Sequence, residues 1–211
     1  MSYSVAVRAL CEFSAKVGDL DLRFTPSPTA QEGIEGHRRV VARRAADYES
    51  EVALEGQFES LRVRGRADGY DPSCNRLEEI KTYRGDLTRQ PANHRQLHWA
   101  QAKVYAWLMC QARQLPAIEV ALVYLDVDSD GQTLISEHHT AAALQAFFET
   151  QCRCFLAWAQ RQQGRLASVT ATCRRWGFPM RNSARASGNW PRPCTRPSER
   201  TLCRAAAAPS P

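Results

Sequence analysis

The sequence places two acids and a lysine at a spacing that suits the hydrolysis of a phosphodiester bond. Asp68 follows one short strand-like stretch, and Glu79 and Lys81 lie two residues apart on the next. Two carboxylates can hold one or two hard cations such as Mg²⁺ or Mn²⁺, which polarise phosphoryl oxygens and lower the pKa of a bound water. The lysine supplies a positive charge that orients the attacking water or stabilises charge on the phosphoryl oxygens.

Two strands and a turn would position these groups. Residues 61–67 and 76–83 alternate in character, and residues 71–75 have the composition of a turn. We therefore predict an antiparallel hairpin in which Glu79 and Lys81 share a face and Asp68 lies opposite them. The alternative is that these are exposed strand charges paired as surface salt bridges, because an acid and a lysine two apart are common on surfaces.

A helix is predicted over about residues 92 to 113. Leu97, Gln101, Tyr105 and Leu108 fall on one of its faces by helical spacing. An amide and a phenol on the face that meets the sheet need polar partners. This helix therefore points to a polar site beneath it.

The order of these motifs resembles the RecB-type branch of the PD-(D/E)XK nuclease superfamily. The matching residues are Gly65, Asp68 and Asp71, then Glu79, Lys81 and Thr82, then Gln101 and Tyr105. The resemblance covers most of residues 1–160 and implies an α/β, restriction-endonuclease-like core with a mixed β-sheet flanked by α-helices. In one departure, Glu79 stands where many RecB-type enzymes have Asp, a change that the superfamily signature allows.

The resemblance also implies the metal and its ligands. Asp68 and Glu79 would bind Mg²⁺ or Mn²⁺, and Lys81 would assist catalysis. RecB-type enzymes carry a further ligand, a histidine on an early helix, and His37 stands where that residue is expected. The alternative for His37 is a solvated helix histidine. Together these residues imply a metal-dependent hydrolase acting on DNA.

Contacts with the substrate strand are implied for three residues. The resemblance counts Gln101 and Tyr105 among the catalytic residues, in contact with the DNA strand or the catalytic lysine, and we assign Arg66 to DNA binding. A packing pair between helix and sheet is the alternative for Gln101 and Tyr105. The other histidines are expected to be structural or solvated, because they fall in no matching motif; they are His94, His98, His138 and His139.

A more particular resemblance is to the N-terminal region of bacterial DinG-like, XPD-related DNA helicases, in which a RecB-like domain precedes an ATP-driven motor. Residues 3–13, 18–29 and 84–87 carry it. The sequence contains no Gly-x-x-x-x-Gly-Lys-Ser/Thr phosphate loop. The resemblance implies a nuclease module for DNA repair or processing whose helicase motor normally shares the chain. The alternative is a non-cleaving DNA-binding or scaffolding module.

The remaining elements fit one nuclease domain over residues 1–160. Residues 117–126 form an apolar run typical of a buried central strand, residues 128–131 a turn, and residues 132–138 its partner strand. A final amphipathic helix is expected over about residues 141 to 160. It would bury Leu144, Phe147, Phe148, Phe155 and Trp158.

Beyond residue 160 the composition changes. Residues 161–211 hold ten of the 28 Lys and Arg but only one of the 22 acids, so the first 160 residues carry a net charge of −3. We interpret this segment as a basic, disordered tail. When this segment is back-translated and read in a shifted frame, some codon choices give a peptide that resembles the start of a DinG-like motor domain. This suggests a frameshift near codon 160.

The eight cysteines show no Cys-x-x-Cys spacing. Some RecB-like nucleases hold an iron–sulfur cluster with four cysteines, but that grouping is missing, so scattered buried or free thiols are expected. We find neither a secretory signal nor a transmembrane run in the sequence. A reducing cytoplasm, with no membrane partner, is therefore predicted.

Overall fold

The structure is a computed structural model that describes residues 2–18 and 27–175, with side chains up to residue 163. Its elements in chain order are β1 (Tyr3–Ala6), α1 (Val7–Ser14), α2 (Ala30–Val41), β2 (Glu49–Phe58), β3 (Leu61–Asp71), β4 (Arg76–Tyr83), a 3₁₀ turn (Leu87–Arg89), α3 (Ala92–Arg113), β5 (Ala117–Asp126), β6 (Gln132–Thr140) and α4 (Ala141–Arg175). The chain divides into two units, Met1–Leu166 and Ala167–Pro211. The site lies in the first.

One six-stranded mixed sheet organises this unit. Its order is β1-β3-β4-β5-β6, with β2 paired to β3. The β1–β3 and β4–β5 pairs are parallel, and the β2–β3, β3–β4 and β5–β6 pairs are antiparallel. The predicted α/β class, with a mixed sheet flanked by helices, is confirmed. The element order from α2 to β6 agrees with the restriction-endonuclease-like core that the resemblance implied.

The helices cover both faces of the sheet. Side chains alternate between faces along a strand, and in β5 Leu122 and Tyr124 join the main core with residues of α1, α3 and α4. Val123 and Leu125 point the other way and pack with Val40 of α2. α2 therefore lies opposite the other three helices.

The sheet forks where β3 changes partner. Along one edge, β3 pairs with β1 over Leu61 to Arg64 and with β4 only over Gly69 to Asp71. The ladder between β3 and β4 stops at the Gly69–Glu78 pair, so the two strands part at the next position. That position belongs to Asp68 and Glu79. The fork thus opens between the two acids of the motif.

Most predicted elements are observed, with longer ends. β3 continues through the Asp68 motif to Asp71, and α4 runs to Arg175 rather than ending at residue 160. Residues 161–175 contain no proline and several good helix formers, which explains the continuation. Residues 19–26 of the helicase-like segment and residues 176–211 of the predicted tail lie outside the described residues. No described helix is both long and apolar enough to cross a membrane.

Candidate active site

Asp68 occupies the fork itself. Its Oδ2 accepts a hydrogen bond of 2.7 Å from the backbone N–H of Ile80. In a continuous ladder a backbone carbonyl would accept this bond, and here the strands have parted and the carboxylate takes its place. The side chain is 21% exposed. Asp68 is thereby fixed against β4 while it still reaches solvent.

Glu79 and Lys81 lie together on β4. Lys81 Nζ donates to Glu79 Oε1 at 2.5 Å, and the Glu79 side chain is only 5% exposed. Glu79 Oε2 is buried and has no hydrogen-bond partner among the described residues. A surface salt bridge does not describe this pair, because a buried carboxylate with an unsatisfied oxygen carries a desolvation cost. An orphaned acceptor in this position suits a ligand that brings positive charge or a donor.

The pKa values show that the three groups act on one another. Burial raises the pKa of Asp68, although Lys81 acts to lower it. Burial likewise raises the pKa of Glu79 to about 7, against the opposing charge of Lys81 and with a further rise from Asp68. For Lys81, burial acts to lower the pKa, but the two acids outweigh it and raise the pKa. Lys81 therefore stays charged, and its positive charge partly offsets the burial of both Asp68 and Glu79.

His37 reaches the fork because α2 lies very close to β4. A Cβ on Gly36 would come within 2.3 Å of Thr82 Cγ2, so only glycine allows this approach. The Nδ1 of His37 is 3.6 Å from Oδ1 of Asp68. Burial, and then the charge of Lys81, lowers the pKa of His37. The imidazole is therefore neutral at pH 7, the form in which histidine binds metals.

Tyr105 is buried against the backbone of β3. A Cβ on Gly65 would lie 2.6 Å from the Tyr105 hydroxyl, which explains the glycine in the motif. Burial, followed by the charges of Glu79 and Asp68, raises the pKa of Tyr105. Gln101 is buried one turn earlier on α3. The structure thus brings Tyr105 to the acids, from the face that carries α3.

Arg66, in contrast, lies on the surface. It forms an ion pair of 2.7 Å with Glu51, and both side chains are more than 60% exposed. Glu51 has a φ of +54°, an uncommon conformation for a residue other than glycine. Glu51 also acts to raise the pKa values of Asp68 and His37. The sequence gives no sign of this third acid, because no local pattern places it beside the motif.

A cavity of about 710 Å³ opens onto the fork beside α2. His37, Glu51 and Asp68 are among its polar lining residues, and Ile80 lines it as well. Glu79 is absent from the lining and therefore lies deeper than Asp68. A substrate would enter from the side of His37 and Asp68.

A second set of polar residues supports β4 from the face of α2. The fully buried Glu78 accepts hydrogen bonds from Arg44 Nε at 2.9 Å, from the Tyr48 hydroxyl at 3.0 Å and from Arg76 Nε at 3.1 Å. A Cβ on Gly69 would lie 1.8 Å from the Tyr48 hydroxyl. We call Arg44, Tyr48 and Glu78 the clamp. It holds the last rung of the ladder before the fork.

Two of the other histidines contact residues outside the cluster, and the described cysteines form no disulfide. His98 Nδ1 is 3.0 Å from the Tyr124 hydroxyl, and His139 pairs with Glu137. The described cysteines are all free; Cys11, Cys110 and Cys152 are buried and Cys74 and Cys154 are exposed. The remaining cysteines lie beyond the residues whose side chains are described.

The donor set at the fork suits a hard divalent cation. Mg²⁺ binds through one or two carboxylates and keeps several waters, and Glu79 Oε2 and Asp68 Oδ1 offer such oxygens. In the part of the chain that the structure describes, no group of three or more His, Cys, Asp and Glu side chains could hold a metal ion. A cation here would complete its coordination with water and substrate oxygens.

Comparisons with known proteins add little to this geometry. No protein-family model and no curated protein matches the sequence. The crystal structure of SSO0001 is 21% identical with a TM-score of 0.44, and the match covers 72% of this chain and 77% of that one. An alkaline exonuclease from Laribacter hongkongensis is 15% identical with a TM-score of 0.49, over 80% of this chain and 94% of that one. Both TM-scores are below 0.5, so the assignment of a function depends on the site itself.

Proposed function

We propose that this chain is a metal-dependent nuclease that hydrolyses phosphodiester bonds in DNA. The observation that carries the proposal is the buried, unpartnered oxygen of Glu79 beside Lys81 and Asp68, at the point where the sheet forks. A fold meets the cost of such a group when the group serves chemistry. The spacing of these residues, which resembles that of RecB-type nucleases, supports the same conclusion.

Each residue has a role that its position allows. Asp68 and Glu79 would hold Mg²⁺ or Mn²⁺, which when bound polarises the scissile phosphate and lowers the pKa of a water. His37, 3.6 Å from Asp68, would become a third ligand if these side chains drew closer together around the cation. Lys81 remains charged and orients the attacking water or stabilises charge on the phosphoryl oxygens. Tyr105 and Gln101 would position Lys81 or the substrate strand from α3.

A cleavage assay on single-stranded and duplex DNA with Mn²⁺, Mg²⁺ or EDTA tests the proposal. We expect cutting that requires the metal and that falls by about 100-fold or more in Asp68→Ala and Lys81→Ala, because each removes charge that acts in the transition state. Lys103→Ala is the matched control, since Lys103 is as exposed as Lys81 but pairs with Glu137. Cutting that survives both site substitutions would refute the assignment.

A second candidate is a DNA-binding or scaffolding module that does not cleave. It is favoured by one observation, that the described residues gather no three protein ligands for a metal. DNA binding that is indifferent to metal, with no cutting under any condition, would support this module. Metal-dependent cutting that Asp68→Ala abolishes would exclude it.

The helicase context belongs to the same proposal and depends on the sequence resemblance alone. We propose that the domain is the N-terminal nuclease module of a DinG-like helicase in DNA repair. Sequencing the coding DNA tests this directly. A long open frame with a phosphate-loop motif should appear downstream of codon 160 in a shifted frame, and its absence would leave the basic segment as a genuine extension.

A further inference from the structure

Three arginines form a straight row on the exposed face of β3. Arg62, Arg64 and Arg66 alternate with the buried Leu61, Val63 and Ala67 and the half-buried Gly65, so all three point away from the main core. Side chains at every second strand position are about 6.6–6.8 Å apart along the strand. We call Arg62, Arg64 and Arg66 the arginine row. It ends two residues before Asp68.

The strands on either side leave this row accessible. Arg62 and Arg64 are opposite Ser4 and Ala6 of β1. On the other side, Arg62, Arg64 and Arg66 are opposite Gln57, Glu55 and Ala53 of β2. Ala6, Ala53 and Gly65 line a shallow groove of about 520 Å³ together with Arg64 and Arg66. Small side chains therefore flank the row on the β1 side, whereas Glu55 and Gln57 flank it on the β2 side. A flat groove of this kind can receive one extended chain along β3.

Two glutamates now pair with the arginine row. Arg62 contacts Glu55 at 2.5 Å, and Arg66 contacts Glu51 at 2.7 Å. Exposed ion pairs of this kind add little stability, so phosphate groups can displace the carboxylates. The glutamates would then lower the affinity of the row for a polyanion without abolishing it.

Two arginines on and after β4 do not extend this row. Arg76 belongs to the ion-pair cluster around the buried Glu78. Arg84 pairs with Glu32 and Asp128. Neither is available to the face of β3. Of these five arginines, the three of the arginine row lie along β3 toward the fork.

We infer that the arginine row binds the phosphates of a single nucleic-acid strand and guides that strand into the fork. The inference rests on the proposed function, because it takes nucleic acid as the substrate. The spacing between neighbouring arginines of the row exceeds the rise of about 3.4 Å per nucleotide in one strand of B-form DNA. This wider spacing suits an extended strand whose bases are unstacked. A flat face also meets one backbone rather than both strands of a duplex. The site would thus accept single strands or frayed ends.

Binding measured in EDTA separates the row from catalysis. Fluorescence anisotropy with a labelled single-stranded oligonucleotide, using the full chain, should show weaker binding for Arg62→Gln and stronger binding for Glu55→Gln. The slope of log K against log salt should fall by about 0.7 for each arginine removed. The matched controls are Arg153→Gln and Glu149→Gln, an ion pair on α4 in which Arg153 is exposed and Glu149 is half-buried. These controls should leave affinity unchanged.

Two outcomes would overturn the inference. One is equal binding by Arg62→Gln and Arg153→Gln, and the other is a blunt duplex bound as tightly as the single strand.

A small phosphodiester, bis(p-nitrophenyl) phosphate, separates this inference from the proposed function, because it is too short to reach the row. If the protein cleaves this ester in a metal-dependent manner but Arg62→Gln has no effect on DNA binding, the proposed hydrolase activity is supported and strand binding by the arginine row is refuted. Opposite effects of Arg62→Gln and Glu55→Gln, with no cleavage of ester or DNA, would support the row and refute the hydrolase.

Discussion

Glu79 carries the largest electrostatic cost at the site. Its side chain is 5% exposed, one carboxylate oxygen accepts from Lys81, and the other has no partner among the described residues. Burial raises its pKa to about 7 even though Lys81 opposes the rise. Ionised Glu79 is therefore expensive in the folded protein. At the residue scale, the site gives up stability to keep this carboxylate buried beside Lys81.

This cost predicts how stability depends on pH when metal is absent. Because the folded state holds the Glu79 proton more tightly than the unfolded chain, whose pKa is 4.5, folding loses stability as pH rises from about 4.5 to 7. Glu79→Gln removes that loss. Relative to the native chain, its free energy of unfolding should gain up to about 3 kcal/mol between pH 5 and pH 8. Urea unfolding in EDTA at both pH values measures the difference.

Glu137→Gln provides the control for this experiment. Burial acts to raise the pKa of Glu137, but Lys103 and His139 outweigh it and lower the pKa. The sign is therefore opposite, and this variant should lose stability relative to the native chain as pH rises through the acid range. A Glu79→Gln variant that behaves like Glu137→Gln would contradict the cost assigned to Glu79.

At the scale of elements, β4 is held from both faces. Glu79 and Lys81 face α3, and Glu78 faces the clamp residues Arg44 and Tyr48. The clamp lies on the Gly69–Glu78 rung, the last pair before β3 and β4 separate. Hydrogen bonds to a buried carboxylate fix the strand, because no water can replace a hydrogen bond that the carboxylate loses. The clamp thus sets where the fork begins.

Tyr48→Phe tests the clamp. The substitution keeps the ring against Gly69 and removes the hydroxyl that donates to Glu78, so we expect a loss of about 1.5–3 kcal/mol in the free energy of unfolding. A double-mutant cycle with Glu78→Gln should give a coupling energy well above zero. Amide hydrogen exchange at Gly69 and Glu78 should quicken in the variant. Additive losses with unchanged exchange would show that the two side chains act independently.

The sequence predicts the local parts of this architecture and misses the long-range ones. β5 and α3 follow from an apolar run and a helical repeat, and their bounds agree with the structure. The Asp68, Glu79 and Lys81 motif predicts the hairpin because a turn joins its strands. The fork depends on the parallel pairing of β1 with β3, across more than 50 residues, and no local pattern encodes it. Glu51 and Tyr48 were missed for the same reason.

At the scale of the whole molecule, positive charge is concentrated toward the end of the chain. The formal net charge is +6, yet residues 167–211 contain eight arginines and one acid, so residues 1–166 carry a net charge of −1. A basic segment binds polyanions without regard to sequence or shape. Under the proposed function, nucleic-acid binding by the full chain would therefore combine a contribution from this segment with a contribution from the first unit. The two contributions can be separated by truncation.

A chain that ends at Leu166 should keep its fold and lose only the general electrostatic part of binding. The core residues of α4, Phe148, Phe155 and Leu156, all lie before this end, so the melting temperature should stay within a few degrees of the full chain. In EDTA the truncated chain should still prefer single-stranded DNA, with a smaller salt slope because fewer counterions are released. Arg62→Gln should then remove a larger fraction of the remaining affinity than it does in the full chain. If the truncated chain folds but binds no DNA at low salt, the basic segment accounts for all the binding, and the arginine row contributes nothing.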